Sequence, residues 1–292
     1  MPAAEIEISE ELVRGLLNDQ HPDLADLEIR ALANGWDNAL YRLGRELIVR
    51  LPRRQLAATH VAHELTWLPR LAPHLPLLIP VPVRAGHPSD RYPWCWSIVP
   101  WFDGASVGTS PFADPALAAT QLGGFLAALH QTAPPDAPAN PYRGGPLADR
   151  SEITMERLAV ISDQVDTEAV LSAWLATSAR PPWDGPPLWI HGDLHPLNMI
   201  RVDNELVAII DFGDLTGGDP ATDLLAGWAL FDEPHRAIFR AAADSASRPI
   251  DDDMWERGRG WAITHSLALL ANSADSPMLA AISQRALDAA VS

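Results

Sequence analysis

The run Trp189-Ile190-His191-Gly192-Asp193-Leu194-His195-Pro196-Leu197-Asn198-Met199-Ile200 decides how this chain is read, together with Asp211-Phe212-Gly213, which begins thirteen residues after Asn198. Three short apolar runs surround these polar residues: Leu188 to Ile190, Met199 to Val202 and Leu206 to Ile210. Each has the length and composition of a strand. Asp193, Asn198 and Asp211 then fall at strand ends, where residues from separate loops converge. All three offer oxygen. A carboxylate accepts a hydrogen bond from a hydroxyl, and an amide oxygen with a second carboxylate suits a hard cation. One Asp-rich loop beside a strand is explained by a turn with Asx hydrogen bonds. Two such segments in fixed order and spacing point to a shared chemistry.

His-x-Asp-x-x-x-x-Asn followed by Asp-Phe-Gly resembles the paired signatures of protein kinases. The fuller string His-Gly-Asp-Leu-His-Pro-x-Asn has Gly192 where protein kinases carry arginine, and is similar to the aminoglycoside phosphotransferase family. Those are small-molecule kinases with the protein-kinase fold. Gly218-Asp219-Pro220-x-x-Asp223-Leu224 resembles the same family, and the likeness runs from Asn34 to Asp223. Leu197 departs from it, standing where the family often has glycine.

The resemblance implies an α+β, bilobal, protein-kinase-like fold: an N-lobe with a five-stranded antiparallel sheet and one inserted helix, and a mostly helical C-lobe. Residues 1–101 would bind nucleotide, and residues 102–292 would carry the catalytic loop and acceptor pocket. Asp193 would be the catalytic carboxylate that orients the attacking hydroxyl. Asn198 and Asp211 would ligate Mg²⁺, and ATP or GTP would donate the γ-phosphate. The acceptor would be a hydroxylated small molecule such as an aminoglycoside-like antibiotic, with resistance as the associated role. Macrolide kinases and metabolic kinases for choline, homoserine or sugars share the motifs. A nucleotide-binding protein with lost catalysis is a further reading.

Upstream elements are laid out for that fold. Ser9 precedes Glu10-Glu11 and helically spaced leucines, which predicts a short helix. Leu27 to Ala33, Ala39 to Leu43 and Leu47 to Leu51 read as strands. Leu56 to Ala72 reads as a helix that Pro69 should kink or end early. Val81 to Ala85 and Trp94 to Val99 read as further strands. Arg50 ends the third strand, where the kinase signature places lysine, and Glu64 lies fourteen residues on, where the family places the acidic partner. Guanidinium holds phosphate or carboxylate in a fork rather than as a point charge. Arg53 and Arg54 are nearby candidates for the same task. Asn34-Gly35-Trp36-Asp37-Asn38 sits where a loop would cover the nucleotide with backbone N–H groups; its single glycine also fits a plain hairpin turn. Pro100, Trp101 and Phe102 occupy the position of the family's hinge, whose backbone meets the adenine edge.

The second half reads as helices over Ala116 to His130, one or two helices over Arg150 to Ser178, then Thr222 to Phe231, His235 to Ala243, Asp252 to Ala271 and Pro277 to Ala290. Pro134 to Pro146 is a loop. His191 is expected to pack and bond to backbone near Asp211, Asp219 to cap a helix and Asp223 to bond the catalytic-loop backbone. The i, i+4 spacing of His191 and His195 suits zinc only on a helix, which Gly192 and Pro196 oppose. Asp251-Asp252-Asp253 at a helix start complements the helix dipole; beside Trp255 and Trp261 it would also suit a cationic acceptor.

Composition narrows the partners. Among 292 residues the net charge is −17 and lysine is absent. Nucleic acid and anionic membranes demand clustered cations, so neither is an expected partner. No run approaches the roughly 18 apolar residues of a membrane helix, and the acidic N-terminus lacks signal-peptide features. The single cysteine, Cys95, excludes a disulfide framework and reads as a small buried hydrophobe. A reducing, cytoplasmic setting is the expectation.

Overall fold

Ser9 caps α1 (Glu10–Gln20) in the computed structural model, its hydroxyl accepting from Leu12 N–H at 3.3 Å. The structure describes residues 4–35, 37–245, 249–273 and 276–292, apart from the side chains of Ala33 and Asn34. The chain divides into two compact units. One comprises Met1–His74, Leu78–Asp103 and Ile210–Gly213; the other comprises Leu75–Leu77, Gly104–Ile209 and Asp214–Ser292.

The first unit is built on an antiparallel five-stranded sheet of β1 (Ile29–Asn34), β2 (Asn38–Leu43), β3 (Leu47–Pro52), β4 (Arg84–Gly86) and β5 (Trp96–Pro100), in the order β1-β2-β3-β5-β4. Strand alternation sends Val49 and Leu51 of β3 into a core with Val13, Leu16 and Leu17 of α1 and Trp96 and Ile98 of β5. Arg50 points the other way, toward α2 (Gln55–Leu71). That helix buries Ala57, Val61, Glu64, Trp67, Leu68 and Leu71. Pro69 does not end it early: α2 runs on to Leu71. A proline in the last turn removes only one ladder bond, and buried Leu68 and Leu71 hold that turn in place. The fourth strand is shorter than Val81 to Ala85 and begins at Arg84. Pro80 and Pro82 cannot donate to a ladder, so pairing starts after them. Cys95 is half-buried, not buried, because it sits just before β5 instead of inside it.

The second unit is mostly helical. It begins with β6 (Ala105–Ser106) and contains α3 (Pro115–Leu129), α4 (Ser151–Val160) and α5 (Thr167–Ser178), so the expected one or two helices over residues 150–178 are two. After β7 (Leu188–Ile190), β8 (Met199–Val202), β9 (Glu205–Ile209) and β10 (Thr216–Gly218) come α6 (Ala221–Leu224), α7 (Ala226–Leu230), α8 (Glu233–Ala243), α9 (Asp252–Ala271) and α10 (Pro277–Val291). Strand β8 pairs with β6 and β9, and β7 pairs with β10. The single helix expected over residues 222–231 is the pair α6 and α7. Aspartates cap α3, α5, α8 and α9 by accepting from a backbone N–H three residues on. Helix α9 is buried on nearly every side from Arg257 to Leu267, packed by α10, α6, α5 and α4. Arg257 on it forms a buried fork with Asp219, at 2.8 Å and 3.3 Å. Breaking such a pair leaves a charge in the interior, at a cost of about 3–5 kcal/mol.

Candidate active site

In the first unit, Arg50 Nη1 lies 2.7 Å from Glu64 Oε2, and both residues are buried. Arg50 Nη2 lies 3.9 Å from Asp211 Oδ1. Burial opposes the Arg50 charge, but Glu64 and Asp211 outweigh it and hold the guanidinium protonated. Glu64 is raised by burial, against the pull of Arg50, and its Oε1 has no hydrogen-bond partner. The side chain of Asp211 is 56% exposed and its backbone is left-handed at φ 65°. An aspartate tolerates that region better than most residues.

The other first-unit candidates fare unevenly. Asn34 closes β1 and Asn38 opens β2, so both belong to a hairpin. Gly35 N–H is already bonded to Asn38 C=O at 2.8 Å, and Gly35 C=O accepts from Arg53. That N–H is spent on the turn, so the loop is a poorer phosphate cradle than expected. Trp36 lies outside the described residues. Arg54 pairs with Asp37, which leaves Arg50 as the cation held by the glutamate. At the expected hinge, Pro100 has no N–H and Trp101 N–H bonds Glu46 C=O at 2.7 Å. Trp101 is pinned further by its indole N–H on Asp103 and by Arg42 stacked 3.9 Å from its ring. Of the three hinge residues, only Phe102 retains an uncommitted backbone N–H.

In the second unit, Asp193 stands between β7 and the short turn Pro196–Asn198. Gly192 before it has φ +86°, and a Cβ there would come within 2.9 Å of Asp214 C=O. No other residue adopts that bend without strain. The loop hangs from Asp223, whose carboxylate accepts from the N–H groups of His191 and Gly192 at 2.9 and 2.8 Å and contacts His130 Nε2 at 3.0 Å. This is the backbone bond expected of Asp223. Asp219 is not a simple helix cap: Oδ1 accepts from Ala221 N–H, and both oxygens meet Arg257. His191 is fully buried and its Nδ1 accepts from Asp193 N–H. His195 Nδ1 accepts from Leu197 N–H. Those nitrogens orient the loop.

Both carboxylate oxygens of Asp193 are held. Asn198 Nδ2 donates to Oδ2 at 3.2 Å and to the Asp193 carbonyl at 2.9 Å. His265 Nε2 meets Oδ1 at 2.7 Å, and His195 Nε2 lies 3.5 Å from Oδ2. Partial burial raises the Asp193 carboxyl, but the two histidines outweigh it and keep it well below the usual carboxylate range. Arg143 Nη2 is 3.9 Å from the same oxygen as His265, while its Nε pairs with Asp214 at 3.2 Å. The amide nitrogen of Asn198 is spent on Asp193, which leaves its oxygen as the side chain's remaining donor atom. An amide oxygen and a carboxylate such as the exposed one of Asp211 are each of the donor type that Mg²⁺ takes. Among the described residues no group of three His, Cys, Asp or Glu side chains forms a metal cluster.

Sequence reading missed His265, Arg143 and Asn140, which donates to Asp214 at 2.8 Å. His265 follows Asp193 by 72 residues, inside a helix without a motif. The one signal was a histidine between Thr264 and Ser266 in a largely apolar helical stretch. The acidic cluster at α9 is committed elsewhere. Asp251 caps the helix, Asp252 pairs with Arg240 and Asp253 with Arg180. Arg240 also lies 5.4 Å from the Trp255 ring, so the expected cation over that indole is the chain's own. Trp261 is buried and unavailable to an acceptor.

A model of the phosphotransferase enzyme family matches residues 28–261. The chain belongs to that family, the aminoglycoside phosphotransferases. It is therefore a small-molecule phosphotransferase. Among solved structures it is similar to the GDP complex of wild-type aminoglycoside 2'-phosphotransferase-IIIa, at 19% identity and TM-score 0.71, covering 97% of this chain and 99% of that one. It is similar to macrolide 2'-phosphotransferase MphH from Brachybacterium faecium, at 22% identity and TM-score 0.66, covering 96% of each chain. The streptomycin–ATP ternary complex of APH(2")-IIa matches at 18% identity and TM-score 0.61, covering 97% of each. A search of curated proteins gives no match. These likenesses bear out the kinase-like α+β fold. No helix among the described residues is long and apolar enough to cross a membrane.

Proposed function

We propose that this phosphotransferase moves the γ-phosphate of ATP or GTP to a hydroxyl of a small molecule, with an aminoglycoside-like antibiotic as first candidate. The observation that carries the reading is Asp193, an ionised carboxylate with both oxygens held in a loop anchored by Asp223. The acceptor hydroxyl donates to that carboxylate. As its oxygen bonds to the γ-phosphorus, the bond from phosphorus to the β,γ-bridging oxygen breaks, the nucleoside diphosphate leaves, and the hydroxyl proton passes to Asp193. Arg50, fixed by Glu64, binds phosphate oxygens. Phe102 N–H and the backbone near Pro100 and Trp101 meet the base, while Asn34, Gly35 and Asn38 shape the hairpin above the phosphates. Asn198 and Asp211 would hold Mg²⁺, which would screen the phosphate charge. Residues 1–101 would thus carry nucleotide binding and residues 102–292 acceptor binding. The intact Asp193, Asn198 and Asp211 speak against a pseudokinase.

A macrolide acceptor is the second reading. The acids of α9 are neutralised by Arg180 and Arg240, and Asp193 is flanked by His195, His265 and Arg143. Both facts favour an acceptor with fewer positive charges. The test is turnover of ATP and GTP with Mg²⁺ against kanamycin, gentamicin, streptomycin, macrolides, choline and homoserine, reading phosphorylated product by mass. Asp193→Asn should lower transfer roughly 10²- to 10⁴-fold with nucleotide affinity nearly unchanged. Asp211→Ala should abolish the Mg²⁺-dependent part of nucleotide binding in calorimetry. A parental rate in Asp193→Asn would end the phosphotransfer mechanism as written.

A further inference from the structure

We infer that His265 is a positioning residue for the phosphoryl transfer, fixing the plane of the Asp193 carboxylate by donating Nε2–H to Oδ1. The inference rests on the proposed role of Asp193. An aspartate carboxylate turns easily about its last bond, because that torsion has broad, shallow minima. One hydrogen bond restrains one oxygen, whereas partners on both define the plane and leave a set lone pair for the acceptor hydroxyl. Asn198 restrains Oδ2 from within the same loop. His265 restrains Oδ1 from α9, at 2.7 Å, with its ring 6% exposed.

The tautomer follows from chemistry. An ionised carboxylate only accepts, so the imidazole nitrogen facing it carries the proton. The groups around this contact are His195, whose ring centroid lies 6.0 Å from that of His265, Asn198 and the Arg143 guanidinium. His265 itself lies in the stretch of α9 that is buried on nearly every side. Its neighbour Thr264 bonds Thr154 of α4 at 2.7 Å, and the helix is buried on both sides of it. The hydrogen bond to Asp193 offsets the cost of burying the imidazole, and a leucine of similar size in its place would remove that restraint from Oδ1. Small errors in the alignment of a general base reduce rate far more than affinity.

The test uses the full chain with Mg²⁺ and the triphosphate and acceptor that the panel above turns over best, and triphosphate hydrolysis by water alongside. His265→Leu should lower kcat roughly ten- to a hundredfold with KM for the nucleotide unchanged. His265→Gln, which can place an amide N–H near the Nε2 position, should recover most of that loss. Near-UV circular dichroism keeps folding separate from rate. Independently of turnover, ¹⁵N resonances of His265 in the parent should show a protonated Nε2 and an unprotonated Nδ1, and should move in Asp193→Ala. Parental kcat in His265→Leu, no recovery in His265→Gln, an Nδ1–H tautomer, or resonances indifferent to Asp193→Ala would each overturn the inference. A parental rate in Asp193→Asn would instead remove the phosphotransfer reading, while the resonance shifts still decide the contact.

Discussion

Arg50 stands where the resemblance calls for lysine, and its surroundings show how the replacement works. One nitrogen meets Glu64 at 2.7 Å and another faces Asp211 at 3.9 Å, so the fork spans two carboxylates that a single ammonium would have to choose between. Glu64 is fully buried, and removing Arg50 leaves that carboxylate without its counter-charge. Arg50→Ala should therefore lose about 1.5–3 kcal/mol of triphosphate binding, roughly ten- to a hundredfold, with adenosine binding little changed. Part of the loss should also appear as a lower Tm, because an unpaired buried carboxylate destabilises the fold. Arg50→Lys should retain intermediate triphosphate affinity. Calorimetry with a triphosphate and its nucleoside distinguishes the cases, and unchanged triphosphate affinity in Arg50→Ala would transfer the role to Arg53 or the hairpin backbone. The pairing of Arg50 with Glu64 was legible because both sit at fixed offsets from a strand and a helix that hydrophobic pattern reveals. Asp193, Asn198 and Asp211 were legible as a string. His265 and Arg143 were not. They reach Asp193 and Asp214 from α9 and a proline-rich loop, and no local spacing encodes a contact between residues 72 apart.

Helices α3 and α8 pack closely, and adjacent glycines on α3 put a number on that contact. A Cβ added at Gly123 would stand 2.5 Å from Ala242 Cβ, 2.7 Å from Phe239 C=O and 2.8 Å from Ala243 N. Two of those three neighbours are backbone and cannot rotate away. At Gly124 nothing lies within 4 Å. Helix propensity favours alanine over glycine at either site by roughly 1 kcal/mol. Gly124→Ala should therefore raise stability by about 0.5–1 kcal/mol. Gly123→Ala should lower it by about 1–3 kcal/mol, because overpacking pushes α3 from α8 and exceeds the propensity gain. Urea unfolding of the two variants measures both, and equal changes would mean that the helices yield. The same distinction explains what could be read of the elements. Helices such as α1, α3 and α9 matched their sequence patterns, since caps and apolar spacing define them locally. Strands β6 and β10, of two and three residues, carry too little sequence for a period to show. They exist because partner strands β8 and β7 supply the hydrogen bonds. The run through Pro69 and the division of residues 221–230 into two helices are likewise set by packing, which acts from outside each segment.

Two effects of opposite sign govern how the whole molecule responds to acid. The chain carries −17 charges with a sequence pI near 4.8, so lowering the pH relieves self-repulsion and by itself would stabilise the fold. The histidines oppose this. His265, His63 and His21 are each pushed below the ordinary value of 6.5, foremost by burial. For His265 that effect exceeds the attraction of Asp193. A histidine depressed in the fold binds a proton more readily when unfolded. Its stabilising contribution is complete above 6.5 and is lost as the pH falls through that value and below. The Asp193 carboxyl, held well below its ordinary value of 3.8, adds a second loss in the same sense at lower pH. Glu64, raised by burial, acts in the opposite sense in the carboxylate range. Salt separates surface repulsion from the buried groups, because about 1 M salt shortens the screening length to roughly 3 Å and reaches exposed charges far more than enclosed ones. At that ionic strength Tm should already decline between pH 7.5 and 5.5, before carboxylates titrate. His265→Gln should flatten the decline without removing it, since His63 and His21 remain. A Tm that rises steadily toward the pI at high salt would mean that the buried histidines take up protons in the folded chain as easily as in the unfolded one, and with that the enclosure of His265 beside Asp193 would lose its energetic basis.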